Sequence, residues 1–145
     1  MRLTRECDYA FVVLVFLARQ DRDRVVACDD MAAHLGMPYD FLAKILQKLA
    51  RAGLVASKQG PRGGYLLARR PSEISFTDVF RAIDDLLLLV ECQQPQSCRC
   101  PRLALCSIVE AMHVLHEKLA AMFDSVTVAD LVSTSCEEPR GRLAP

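Results

Sequence analysis

Four of the chain's seven cysteines fall in the sixteen residues Glu91–Cys106, at Cys92, Cys98, Cys100 and Cys106. The stretch reads E-C-Q-Q-P-Q-S-C-R-C-P-R-L-A-L-C. Gln93, Gln94, Pro95 and Ser97 mark its middle as a polar loop, and the apolar run Leu86–Val90 leads into it. Thiolates on a loop that can wrap, backed by an apolar wall that excludes water, suit a soft metal centre. Iron–sulfur ligation is the leading reading. A zinc site comes second, because the tight Cys-x2–4-Cys knuckles of structural zinc are missing. A thiol–disulfide switch is the third.

The remaining polar singles carry less. Cys7 reads as a small buried hydrophobe beside Asp8. Cys28 and Cys136 read as incidental, His34 falls in no recognisable motif, and His113 and His116 read as surface residues of one helix. No nucleophile–base pair is recognisable, so the centre is expected to sense rather than catalyse, and the chain is read as a non-enzyme.

The elements around this loop decide what it could control. Net charge is zero, yet residues 41–71 hold seven cations (Lys44, Lys48, Arg51, Lys58, Arg62, Arg69 and Arg70), while all eighteen acids lie outside them. That is a basic patch hidden by a neutral total. An apolar content of 52% fits a folded chain. The N-terminus imitates a secretory signal, but Glu6 and Asp8 interrupt its basic part and Arg19-Gln20-Asp21 stands where a cleavage site belongs. The ten apolar residues Tyr9–Ala18 fall short of the ~20 needed to span a bilayer. A cytoplasmic chain with no membrane contact is expected, where clustered cysteines serve as metal ligands more often than as structural disulfides.

Leu3–Arg19 reads as a helix apolar around most of its circumference, hence buried by core or partner. Asp29 and Asp30 offer an N-cap to a short helix, Met31–Leu35, stopped by Gly36. Pro38 opens the next helix, whose stripe Leu42, Ile45, Leu46, Leu49 faces inward. Its other face carries Lys44, Gln47, Lys48 and Arg51, with Tyr39 at its start. Two short strands, Leu54–Ser57 and Tyr65–Ala68, flank a Gly-rich turn bearing Lys58 and Arg62. Helix, turn, helix and basic hairpin make a winged helix-turn-helix, which places the second helix in a DNA major groove and the wing on backbone or minor groove. The DNA-binding set is therefore Tyr39, Lys44, Gln47, Lys48, Arg51, Lys58 and Arg62.

Ser75 and Asp78 cap a helix with Phe76, Val79, Phe80 and Ile83 inward. Pro101 opens a long helix to about Phe123, in which Leu105, Ile108, Met112, Leu115, Leu119 and Met122 form a coiled-coil seam for a second copy of the chain. Thr127–Val132 reads as a last short helix. The expected fold class is mainly α with a small β-hairpin wing. Its divisions are a DNA-binding head at 1–71, a cluster loop and dimerisation helix at 72–132, and a disordered tail at 133–145.

With these pieces placed, the chain resembles the bacterial winged-helix iron–sulfur transcriptional regulators of the IscR/NsrR family, from residue 1 to about 132. The resemblance rests on M-R-L-T with Asp8-Tyr9-Ala10, the wing G-P-R-G-G-Y-L-L at Gly60–Leu67, the Cys92-x5-Cys98 spacing, and V-T-V-A-D-L at Val126–Leu131. It implies a homodimer with two winged heads, a pseudo-palindromic double-stranded DNA operator, and an iron–sulfur cluster, [4Fe-4S] or [2Fe-2S], on three loop cysteines. Carried over, Cys92, Cys98 and Cys106 are those ligands. Cys98 to Cys106 spans seven residues where the family usually has five, and Cys100-x5-Cys106 restores that spacing. The IscR-like histidine three places beyond the third cysteine is Val109 here. Asp8 from the partner subunit, as in NsrR, and Cys100 are then the two choices for fourth ligand. The expected function is a cluster-sensing regulator, most simply a repressor. A rival reading, a small cluster carrier or electron-transfer protein, leaves the acid-free 41–71 stretch unexplained and lacks the ferredoxin Cys-x2-Cys run.

Overall fold

A computed structural model describes residues 3–84, 100–101 and 103–134. Six α-helices and one hairpin run in the order α1 Arg5–Ala18, α2 Cys28–Leu35, α3 Tyr39–Arg51, β1 Val55–Lys58, β2 Gly64–Leu67, α4 Phe76–Asp84, α5 Val109–Ser125 and α6 Val128–Thr134. The mainly helical class with a two-stranded antiparallel wing is as the sequence pattern implies.

Helix α1 is the central post, in contact with α3, α4, α6 and β2. Cys7, Ala10, Val13 and Leu14 are fully buried along it. Against them α3 sets Leu42, Ile45, Leu46 and Leu49, all four without solvent exposure, so the stripe read from spacing is the buried face. Removing one such leucine to alanine costs roughly 2–5 kcal/mol in a packed core. Helix α3 ends because Gly53 takes a left-handed φ of 70°, which lets the Leu54 N–H return to the Leu49 carbonyl (3.0 Å) and buries the Leu54 side chain. That turn feeds the chain directly into β1.

The hairpin pairs Val55 with Leu67 at its root and Lys58 with Gly64 at its tip. A single bridge, Val26–Tyr65, joins the loop before α2 to the free edge of β2. Beyond the wing, Ser75 and Asp78 cap α4 reciprocally: the Asp78 N–H donates to Ser75 Oγ and the Ser75 N–H to Asp78 Oδ2, both at 3.1 Å. Phe76 stacks between Phe11 of α1 (centroids 4.4 Å apart) and Phe123 of α5 (4.8 Å).

Several boundaries differ from the expectation, those of the two strands by a single residue. Helix α1 starts at Arg5 because Thr4 caps it, its hydroxyl accepting from the Cys7 N–H at 3.2 Å. Helix α2 begins at Cys28 on Ala27, so Asp29 and Asp30 are first-turn acids rather than caps. The long helix does not start at Pro101: a 3-10 turn, Leu103–Leu105, intervenes and α5 begins at Val109. Leu105 and Ile108 thus precede the helix they were expected to join, while Met112, Leu115, Leu119 and Met122 remain on it. Helix α6 continues to Thr134, past the expected start of the tail. The expected tail beyond Thr134 and the run Leu86–Val90 lie outside the described residues.

Candidate nucleic-acid interface and cysteine loop

With its apolar stripe committed to the core, α3 leaves Lys44, Gln47 and Arg51 exposed on the opposite side. Tyr39 is half exposed at its first turn, where the nearby Cys28 and Asp29 push the phenol above its ordinary range. Lys58 and Arg62 are exposed at the hairpin tip. The tip is tight: the Gly63 N–H reaches the Gly60 carbonyl (2.9 Å), and a Cβ on Gly63 would lie 2.4 Å from the Lys58 carbonyl oxygen. Only glycine lets the backbone close there, and this closure presents Arg62 at the apex. The helix face and the wing therefore offer one cationic surface.

Lys48 departs from this set. Its ammonium turns back into the fold, pairs with the Glu6 carboxylate of α1 and donates to the Ile83 carbonyl at the end of α4 (3.5 Å). The expectation that it projects freely alongside Lys44 fails because a helical wheel shows only α3, and Glu6 is brought there by α1. Arg69, counted in the same acid-free stretch, is likewise engaged, with Asp78 at 3.4 Å. Glu6 and Ile83 are the residues that sequence spacing gave no signal for.

The N-terminal end of α1 and the end of α4 also meet beside this pair. Thr4 Oγ1 donates to Asp84 Oδ2 at 2.8 Å, fixing the last residue of α4 to the first turn of α1. Asp8 is exposed on that turn. Cys7 is fully buried, and burial, with Asp84 and Asp8 adding negative charge, pushes its thiol from 9.0 up to about 12. A thiol that hard to ionise makes a poor ligand, which agrees with its reading as a core residue. Among the described residues no cluster of three or more metal-binding side chains is assembled. Cys92 and Cys98 lie outside those residues. Cys100 is exposed and Cys106 half-buried, both free thiols, with the Leu103 N–H on the Cys100 carbonyl (3.1 Å) and the Cys106 N–H on the Leu103 carbonyl (3.2 Å). Cys100 therefore sits before a 3-10 turn, not at the N-terminus of the long helix. Two accessible soft thiols, with an exposed carboxylate beside the end of α4, fit an iron–sulfur donor set in chemistry.

Helix α5 buries none of its residues, and Val114, Leu115 and Met122 lie open on it, with Ile108 56% exposed just before it. These side chains leave an apolar strip of the helix uncovered among the described residues.

A helix-turn-helix whose second helix keeps a polar, cationic face free beside a basic hairpin is the head of a winged-helix DNA-binding regulator. The family model described as "Rrf2: Iron-dependent Transcriptional regulator" matches residues 3–134. The chain is 33% identical over 132 residues to the HTH-type transcriptional regulator NsrR of Geobacillus kaustophilus, covering 91% of this chain and 90% of that one. It is 30% identical over 133 residues to IscR of Yersinia pestis, covering 92% and 80%. In structure it resembles CymR, the global cysteine regulator of B. subtilis (TM-score 0.73, 20% identity, 94% and 99% covered). It also resembles T. potens IscR (TM-score 0.70, 22% identity, 98% and 93% covered). The chain belongs to the Rrf2 family of transcriptional regulators. No helix among the described residues is long and apolar enough to cross a membrane.

Proposed function

We propose that the chain is a homodimeric, sequence-specific repressor whose affinity for DNA is set by an iron–sulfur cluster on the Cys92–Cys106 loop. One observation carries the DNA-binding half. The buried stripe of α3 fixes Lys44, Gln47 and Arg51 outward beside a glycine-closed tip that presents Lys58 and Arg62. Gln47 suits paired hydrogen bonds to an adenine edge, Lys44 and Arg51 suit guanines or phosphates, and Arg62 suits a narrow minor groove. Lys48 acts from within, holding α3 to α1 and to the end of α4.

The uncovered face of α5 supports the dimer, with Met112, Leu115, Leu119 and Met122 against their copies and Leu105 and Ile108 extending the contact. Two heads related by a two-fold axis call for a pseudo-palindromic operator. Residues 1–71 form the reading head, and 72–132 the sensing and dimerising part. Cys92, Cys98 and Cys106 would hold the cluster, with Cys100 competing with Cys98 for the second place, and either Asp8 of the partner subunit or Cys100 as the fourth ligand. Bound there, the cluster supplies a redox- and nitric-oxide-reactive group whose gain or loss changes what the loop contributes to the fold. The chain's own contribution is the link from that loop to α3, through Asp84–Thr4 and through Ile83 and Glu6 to Lys48.

The test is anaerobic purification, iron and acid-labile sulfide analysis, and selection of bound genomic fragments by the cluster-loaded and cluster-free protein. Roughly stoichiometric iron and sulfide, and one form preferring specific fragments, is the expected result. Zinc without sulfide overturns the cluster. Fragments bound no better than random duplex by either form overturn the regulator.

A further inference from the structure

A second basic site lies away from the helix-and-wing surface. A cavity of about 390 Å³ opens between the C-terminal end of α1, the loop that follows it, the root of the wing and the start of α6. Its wall carries Arg22, Arg24, Arg69 and Arg70 against one lining carboxylate, Asp21, and its apolar lining includes Leu17, Leu67 and Ala129. The volume falls within the ~300–1,000 Å³ of ordinary small-molecule sites. The four arginines come from segments more than forty residues apart in sequence. The Val26–Tyr65 bridge runs the 21–26 loop beside β2 and so brings them together.

Four guanidiniums around one concavity repel one another, and their mutual repulsion is relieved by an anion more readily than by water. Arg69 is held by Asp78 (3.4 Å) and by the Glu73 carbonyl (3.4 Å), so its fork is oriented. Duplex DNA is a poor occupant. The cavity lies at the Val55–Leu67 end of the hairpin, whereas Arg62 lies beyond the Lys58–Gly64 pair that closes the other end, a pair itself roughly 10 Å away at ~3.3 Å per strand residue. A phosphate of a duplex also cannot fill a recess floored by leucine and alanine.

We infer that this cleft is a binding site for a small organic anion, a phosphate or carboxylate joined to a short apolar body. The anionic group is taken by Arg22, Arg24 and Arg70, with Arg69 as the oriented partner, and the apolar body lies on Leu17, Leu67 and Ala129. The guanidinium fork matches either oxyanion with paired hydrogen bonds, and the floor selects for the apolar part.

Equilibrium dialysis of phenyl phosphate against the full-length protein tests this, with inorganic phosphate and phenol as the two halves of the probe. Phenyl phosphate is expected to bind more tightly than either half. The double variant Arg22→Ala/Arg24→Ala is expected to lose at least about tenfold in affinity, as befits removal of charge-assisted hydrogen bonds. Both side chains are exposed, so that variant should keep its thermal stability and its DNA binding. Arg62→Ala, at the wing tip, should bind phenyl phosphate as the wild type does. The inference is overturned if phenyl phosphate binds no better than inorganic phosphate, if the double variant retains full affinity, or if Arg62→Ala removes the binding.

Discussion

A backbone bridge between Val26 and Tyr65 ties the outer edge of the wing to the body, and Gly64→Ala attacks it. A Cβ at residue 64 would lie 2.2 Å from the Val26 carbonyl oxygen, 2.5 Å from its carbon and 2.8 Å from the Ala27 nitrogen. All three are backbone atoms, so no side chain can swing aside to relieve the clash. Relief requires β2 to part from residues 26–27, and that breaks both hydrogen bonds of the bridge: Val26 N–H to the Tyr65 carbonyl (3.0 Å) and Tyr65 N–H to the Val26 carbonyl (2.8 Å). At about 1 kcal/mol net for each bond, and about 1 kcal/mol more for partial exposure of Val26, the cost is roughly 2–4 kcal/mol. Gly36→Ala is the internal control. Its φ of 62° is left-handed but a Cβ there meets nothing within 4 Å, so only the conformational penalty of about 1–2 kcal/mol applies. Urea unfolding of the two variants and the wild type measures both. Gly64→Ala should also weaken operator binding under conditions where it is still folded, because the wing tip loses its fixed position. If Gly64→Ala costs no more than Gly36→Ala, the bridge does not hold the wing.

Three further outcomes follow from the same geometry. Cys7 should resist a maleimide at pH 8 while Cys100 reacts, as read by mass spectrometry of labelled peptides. Its folded-state value is raised from 9.0 to about 12, so the stability it lends is complete below pH 9 and declines as pH rises from 9 towards 12. Asp8→Ala should disturb the absorbance of the anaerobic protein while Cys100→Ser leaves it nearly unchanged if Asp8 is the fourth ligand; the reverse selects Cys100, and no effect from either removes both. Arg62→Ala should weaken binding to all duplexes and reduce the salt slope by about one per subunit, whereas Gln47→Ala should relax one base position at roughly 1–3 kcal/mol per site, both measurable by titration across salt and sequence.

Where a signal is local, the sequence carries it. The i, i+3, i+4, i+7 stripe of α3 and the reciprocal Ser75–Asp78 cap need only their own segment to form, and both stand where spacing puts them. Pro101 shows the limit of a local signal. It fits the first position of a helix, but the chain turns through Leu103–Leu105 before α5 can start. Lys48 shows the other limit: its i, i+3, i+4 neighbours on α3 give no hint of a carboxylate 42 residues away on α1. Gly64 reads as an ordinary turn glycine until residue 26 is laid against it. The arginines of the cleft are unremarkable in sequence for the same reason, since only the bridge makes them neighbours. For the cysteine loop, residue types indicate the metal chemistry, while ligand choice depends on geometry that spacing leaves open between Cys98, Cys100 and Asp8.

The aromatic column of Phe11, Phe76 and Phe123 has a bearing on how such a chain can change over time. Helix α5 has no fully buried residue of its own, so its registration on the head depends heavily on the Phe123 ring and on Val128 just beyond it. The described part of α5 that precedes Phe123 is thus attached at its end more than built into the core. Substitutions at its exposed positions, Val114 and Leu115 among them, are expected to leave the packing of α1, α3 and the wing intact. Such a face can change in sequence while the head it is attached to keeps its fold.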